Sequence, residues 1–174
     1  MAETIPAWLD RRLAPVDKLE VHRRGLRHPA VSVFVLDEDR TLIQRRALGK
    51  YHTPGLWANA CCTHPRWGEH LAACATRRLR EELGITGLRL VRRERIEYRA
   101  EVGGGMTEHE RVTLFTGTAG ADVVVDPDPA EVMAVRWITL PALAAEIAAD
   151  PRAFTPWLRI YLADHAGGIF GRAA

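Results

Sequence analysis

The chain has only three cysteines in 174 residues, too few and too oddly counted for a disulfide framework. Cys61 and Cys62 are adjacent, ill placed to bridge each other, so the set predicts free thiols in a reducing compartment. Long apolar runs are also missing: none approaches the roughly 18 residues that a membrane helix needs. The opening Met-Ala-Glu-Thr-Ile-Pro-Ala-Trp lacks a basic region followed by an apolar one, which predicts no signal peptide. Charge of one sign is not in excess. The 24 Lys and Arg against 22 Asp and Glu leave +2, which predicts no nucleic-acid partner and leaves local clusters free to bind anions. There is no internal repeat and no low-complexity tract. The expectation is a cytoplasmic monomer with a single domain over 1–174, in which 1–20 form a proline-punctuated N-terminal arm.

What is present suits a packed domain. Hydrophobic residues make up 47% and charged residues 26%, ordinary values for a soluble globular chain, and at this length roughly 70% of the unfolded surface can be buried. Val31–Leu36 reads as a buried strand, 37–40 as a turn and Thr41–Gln44 as the hairpin partner. Residues 51–65 read as a loop with a short strand at 57–61. The spacing predicts a helix over 69–83, closed by Gly84. Strands follow at 89–99 and 110–117, joined across Gly103-Gly-Gly105, and again at 132–140; short helices are expected at 141–149 and 156–165. The class is α+β, with mixed sheet between helices.

The helix at 69–83 carries an anomaly. Leu71, Cys74, Ala75, Leu79 and Leu83 share one stripe at 100° per residue, and Arg78 and Glu82 fall inside it. Charges on a core-facing stripe are costly unless they line a cleft. Either Glu82 holds a metal and Arg78 meets an anion, or the two form an i,i+4 pair at the border of a short helix. Glu69, Arg77, Leu79, Glu81, Glu82 and Gly84 extend the pattern, which resembles the Nudix box, G-x5-E-x7-R-E-U-x-E-E-x-G-U. Thr63 stands where the box has its first Gly, and Arg78 where it has the Glu after Arg. In Nudix hydrolases that Glu belongs to the Mg²⁺-binding carboxylates. Its replacement by a cation removes a ligand and adds a phosphate binder.

A second set lies elsewhere in the chain. His22 and His28 flank Gly25, and His64 shares a face with Cys62 in extended chain. Glu108 and Glu110 alternate in step with Val112 and Leu114, so both carboxylates are expected to point inward. Three imidazoles and two carboxylates would suit Zn²⁺, Mn²⁺ or Mg²⁺; by spacing alone, solvated or hydrogen-bonded polar residues remain the alternative.

Seven segments in order connect these pieces: His22-Arg-Arg-Gly-Leu-Arg-His28, Gln44-Arg-Arg-Ala-Leu-Gly-Lys50, Pro54-Gly-Leu-Trp57, Asn59-Ala-Cys-Cys-Thr-His-Pro65, Arg77-Arg-Leu-Arg-Glu-Glu-Leu-Gly84, Glu108-His-Glu110 and Phe154-Thr-Pro-Trp157. Between about Lys18 and Trp157 the chain resembles the type 1 isopentenyl-diphosphate isomerases, a Nudix-fold family, in texture closest to its alphaproteobacterial members. The resemblance implies a metal site at His22, His28, His64, Glu108 and Glu110. It implies a catalytic thiol at Cys62, a second acid/base at Glu110, and Mg²⁺ accompanying the diphosphate at Glu82. It further implies diphosphate-binding cations at Lys18, Arg46, Lys50 and Arg78, pocket aromatics at Tyr98 and Trp157, and no flavin. The small-molecule partners would be isopentenyl and dimethylallyl diphosphate.

Moving that double bond needs one group to protonate an unactivated alkene and another to remove a proton from carbon two, hence a thiol and a carboxyl. An aromatic face can stabilise the tertiary carbocation between the two steps, and water must be kept out. Which of Cys62 and Glu110 delivers the proton, directly or through Tyr98, stays open. The alternatives are a Nudix pyrophosphohydrolase acting on a nucleoside or prenyl diphosphate, and an idle metal-binding module. Trp57, Trp67 and Trp137 read as packing residues and Cys61 and Cys74 as buried and inert. Arg45, Arg92, Arg93 and Arg95 read as strand-surface charges, and His52, His70, His109 and His165 receive no role.

Overall fold

A computed structural model describes residues 3–120 and 122–171. The expected arm is not irregular: β1 (Thr4–Leu9) and β2 (Arg12–Asp17) pair as an antiparallel hairpin. Ile5 and Ala7 are buried beneath it, and its turn places Asp10 and Arg11 at φ 47° and 68°. Two left-handed residues match the twist of a tight hairpin, but Asp-Arg lacks the glycine that signals one. Helix α1 (Lys18–Arg24) follows at once, capped by Asp17, whose side chain accepts from Glu20 N–H. It ends at Gly25, left-handed at φ 59°.

β3 (Arg27–Asp37) begins four residues earlier than expected and therefore includes His28. Its hairpin with β4 (Arg40–Arg46) is confined to Leu36↔Thr41 and Asp37↔Arg40. Beyond those pairs the strands part. The gap is bridged by two three-residue strands where one was expected, β5 (Trp57–Asn59) on β4 and β6 (Cys61–Thr63) on β3. Asn59 fixes the crossing by donating from Nδ2 to Ser32 Oγ at 2.8 Å and Val33 O at 2.9 Å.

Helix α2 (Leu71–Leu83) starts two residues later than the pattern suggested. Glu69 stays outside it, accepting from Arg66 N–H at 2.8 Å and from Arg77 Nε at 2.7 Å. Gly84 closes the helix at φ +66°, where an added Cβ would lie 2.7 Å from Asp126 O. β7 (Leu90–Gly103) and β8 (Met106–Thr118) form the long antiparallel ribbon, and β8 runs parallel to β3. β9 (Val132–Thr139) pairs with β4. Helices α3 (Leu140–Ala149), α4 (Pro156–Asp164) and α5 (Ala166–Phe170) complete the described chain.

One sheet face is covered by α2 through Cys74, Ala75, Leu79 and Leu83. The other is covered by α3, α4 and α5 through Leu143, Trp157, Leu158, Tyr161 and Ile169. This is the expected α+β layering of helices on both faces of a mixed sheet. Cys61 and Cys74 are fully buried, as expected, but Trp67 is 53% exposed and is not a packing residue. The parting of β3 and β4 leaves a cleft between two half-sheets, and candidate site residues such as Arg46, Cys62 and Glu110 line it.

Candidate active site

Gly25 turns the chain so that His22, from α1, and His28, from β3, face each other with ring centroids 5.0 Å apart. His22 Nδ1 lies 2.6 Å from Lys18 O and His28 Nδ1 lies 2.7 Å from Leu26 O. A carbonyl only accepts, so each Nδ1 carries a proton. His64, just after β6, brings its Nε2 to 3.2 Å from His28 Nε2 and 3.0 Å from Glu110 Oε1. Its own Nδ1 is buried without a partner. Burial lowers His22 to about 4 and His64 to about 3, so both imidazoles are neutral.

The alternation of β8 delivers Glu108 and Glu110, 2% and 1% exposed, to the same place. Tyr98, opposite Glu110 in β7, sets its hydroxyl 2.7 Å from Glu108 Oε2 and 2.9 Å from Glu110 Oε2. Burial, then the neighbouring Glu110, pushes Glu108 well above the usual carboxylate range. Burial acts in the same direction on Glu110, but the imidazoles of His28 and His64 outweigh it and hold that carboxyl low. The two carboxyls are thus pushed apart, Glu108 towards the protonated and Glu110 towards the ionised form. Ligand atoms of His22, His28 and His64 lie within 4.8 Å of one another, and a neutral imidazole whose Nδ1–H is held by a carbonyl, as at His22, offers its Nε2 lone pair to a divalent ion. The donor set fits such an ion.

Cys62 faces the same pocket, while Cys61 points to the other side of β6, 3.6 Å from Glu82 Oε1. Burial and then the two carboxylates keep the Cys62 thiol protonated. On the α2 side, Arg78 Nη2 donates to Glu82 Oε1 at 2.7 Å and Gln44 Nε2 to Glu82 Oε2 at 2.9 Å. The pair is an i,i+4 bridge, and it also faces the pocket. Lys18, Arg46, Lys50, Arg78, Glu82 and Trp157 line this small cavity of about 30 Å³ together with Cys62, Glu108 and Glu110. Arg46 also lies 5.3 Å from the Trp157 ring centroid, a cation–π distance.

A family profile described as NUDIX domain matches residues 26–158. The isopentenyl-diphosphate Delta-isomerase of Cereibacter sphaeroides is 63% identical over 172 residues, 99% of this chain and 97% of that protein. Its counterpart in Dinoroseobacter shibae is 61% identical, with 100% and 99% covered. The chain belongs to the NUDIX-domain isopentenyl-diphosphate Delta-isomerase family. Among solved structures, DR0079 from Deinococcus radiodurans superposes with a TM-score of 0.73 at 16% identity, covering 92% of this chain and 98% of that one. The MutT NUDIX hydrolase from Burkholderia pseudomallei gives 0.61 at 21%, covering 80% and 98%. At such identity the likeness is one of fold.

In this member of the family three further residues, of which His52 lines the pocket and Glu131 and Tyr161 contact its lining, had no expected role. Glu131 pairs with Lys50 and approaches Arg78 at 3.4 Å, so two of the four cations share a carboxylate. Tyr161, on α4, is fully buried with its hydroxyl 4.0 Å from Cys62 Sγ. His52 is 5% exposed and sits 3.4 Å from Glu108 Oε1. Glu131 stands in a turn and His52 in a loop, where no periodicity marks an inward position. Tyr161 follows Trp157 by four residues on a helix face already read as amphipathic, and that spacing could have found it. The other histidines without an expected role are not buried; His109, 30% exposed, turns away from the two glutamates to Glu97.

Proposed function

We propose that this chain converts isopentenyl diphosphate into dimethylallyl diphosphate, with Cys62 and Glu110 as its acid–base pair. The observation that carries the reading is a single pocket lined by that thiol, that carboxyl, an indole and four cations. The family's name for the reaction agrees with this set of groups. Lys18, Arg46, Lys50 and Arg78 are assigned to the diphosphate, and Glu82 to the Mg²⁺ that accompanies it. His22, His28, His64, Glu108 and Glu110 are assigned to a second divalent ion, Mn²⁺, Zn²⁺ or Mg²⁺. When bound, these ions supply positive charge that offsets the diphosphate and fixes the Glu110 carboxyl.

The protein's own groups supply the rest. Cations and Glu82 anchor the polar end of the substrate, so the five-carbon tail is directed towards Cys62 and the carboxylates. Cys62, held as a thiol, and Glu110, joined to Glu108 through the Tyr98 hydroxyl, exchange protons with carbons two and four. The indole of Trp157 faces the carbocation. A desolvated cation–π contact of about 2 kcal/mol corresponds to a rate effect of roughly 30-fold. Enclosure by Trp157 and Tyr161 keeps water from trapping the cation. No flavin takes part, and the protein acts as a cytoplasmic monomer on small molecules alone.

The test is NMR of the purified protein with isopentenyl diphosphate and Mg²⁺ in D₂O. The expected result is the dimethylallyl isomer carrying deuterium, with both phosphorus signals intact. Release of phosphate without deuterium would make the protein a pyrophosphohydrolase instead.

A further inference from the structure

We infer that His52 is a sixth ligand of the divalent ion held by His22, His28, His64, Glu108 and Glu110, so that the ion keeps no coordinated water. This rests on the metal centre proposed above. His52 forms a second cluster with His22 and Glu108, ligand atoms within 4.8 Å of one another, and its Nε2 lies 3.4 Å from Glu108 Oε1. Its ring centroid is 5.5 Å from that of His22, close to the 5.0 Å and 5.2 Å that separate His22 from His28 and His64. Its Nδ1 lies 3.0 Å from Thr53 Oγ1. A proton on Nδ1 given to that oxygen leaves the Nε2 lone pair facing Glu108, the tautomer already found at His22.

The loop is built to hold this placement. Thr53 is buried at φ +46°, an unfavourable conformation for a β-branched residue and one that persists where surrounding contacts over-determine it. Arg46 supplies those contacts, donating from Nε to Thr53 O at 3.2 Å and from Nη2 to His52 O at 3.1 Å. A packed core histidine is the plain alternative, and the edge contact with Trp157 at 5.9 Å is compatible with it. It does not account for the convergence of a fourth imidazole on His22 and Glu108.

The chemistry gives the sixth ligand a purpose. Were each carboxylate to bind through one oxygen, five donors would leave one position open on a six-coordinate ion, and an open position binds and acidifies water. Water there would lie beside a carbocation. Closing the position with His52 keeps the ion as fixed charge and removes the nucleophile.

The metal-free protein is titrated with Mn²⁺ while water-proton relaxation is recorded. The expected wild-type complex has no exchangeable inner-sphere water. His52→Leu, which keeps bulk but no donor, should gain one and bind Mn²⁺ about 10- to 100-fold more weakly. An exchangeable water on the wild-type complex overturns the inference without any variant, so a His52→Leu protein that fails to fold does not protect it. Unchanged relaxivity in His52→Leu overturns it too, whether or not affinity falls, because His52 would then only position Glu108. His28→Ala separates the two levels. If it also binds Mn²⁺ as tightly as wild type, the metal centre itself fails; if it alone loses Mn²⁺, only the role of His52 is lost.

Discussion

Tyr98 has one phenolic proton and faces two carboxylate oxygens, at 2.7 Å and 2.9 Å, so the second short contact needs a proton on one carboxyl. Glu108, raised by burial and by Glu110, is the one to carry it, while Glu110, faced by two imidazoles, stays ionised. The three groups form one hydrogen-bonded chain, Glu108–Tyr98–Glu110. Replacing an acid or base of this kind removes about 10²- to 10⁴-fold of rate. Cys62→Ala and Glu110→Gln are each expected to lose at least that much kcat with an unchanged circular dichroism spectrum. Substantial turnover in both variants would sink the assignment. At this scale Glu82 and Arg78 were legible because helical periodicity put charges where apolar residues belong, and Glu108 and Glu110 because strand alternation tied them to Val112 and Leu114. His52 and Glu131 were not, since a loop side chain's direction depends on what its backbone is clamped against.

Helix α2 depends on an ion network that the box pattern supplies. Glu69 accepts from Arg77 Nε and Nη2 at 2.7 Å and 2.8 Å, and Arg77 reaches on to Glu81 at 3.0 Å. Glu69 is 15% exposed in its side chain, and the hydrogen bond from Arg77 holds its carboxyl at about 2 rather than 4.5. Because the folded value is depressed, this stabilisation is complete above about 4.5, declines as pH falls, and is gone below about 2. Glu69→Gln is therefore expected to cost about 1.5–3 kcal/mol at neutral pH. Melting curves should bring variant and wild type together as pH drops towards 2; a gap independent of pH would contradict the assignment. The helix, its Gly84 stop and the β7–β8 ribbon were readable from local signals. The parting of β3 from β4 was not, because β4 takes its partners from residues 57–59 and 132–139, far along the chain.

Over the whole molecule, the proposed metal centre ties the N-terminal helix α1 to β3, β6 and β8 through one ligand set. Metal binding and folding should then be linked. A ligand at 100 times its dissociation constant adds about 2.7 kcal/mol to stability. Chelation is expected to abolish isomerisation and lower Tm, with both restored by Mn²⁺ or Mg²⁺, whereas added flavin changes neither. Restoration that needs flavin, or a chelated protein with full activity, would contradict the reading. No described helix is long and apolar enough to cross a membrane.

By itself the sequence determined the class of fold, the pairing of Cys62 with His64 on one face, and the inward turn of Glu108 and Glu110. Each follows from a period of 2.0 or 3.6 that the backbone enforces locally. The seven ordered segments named the chemistry. Tertiary structure alone decided that residues 4–17 make a hairpin, that the cleft opens where two half-sheets separate, and that a fourth imidazole reaches the carboxylates. Those outcomes depend on contacts between segments distant in sequence, where the fit of one surface against another, and not local periodicity, sets the direction of each side chain.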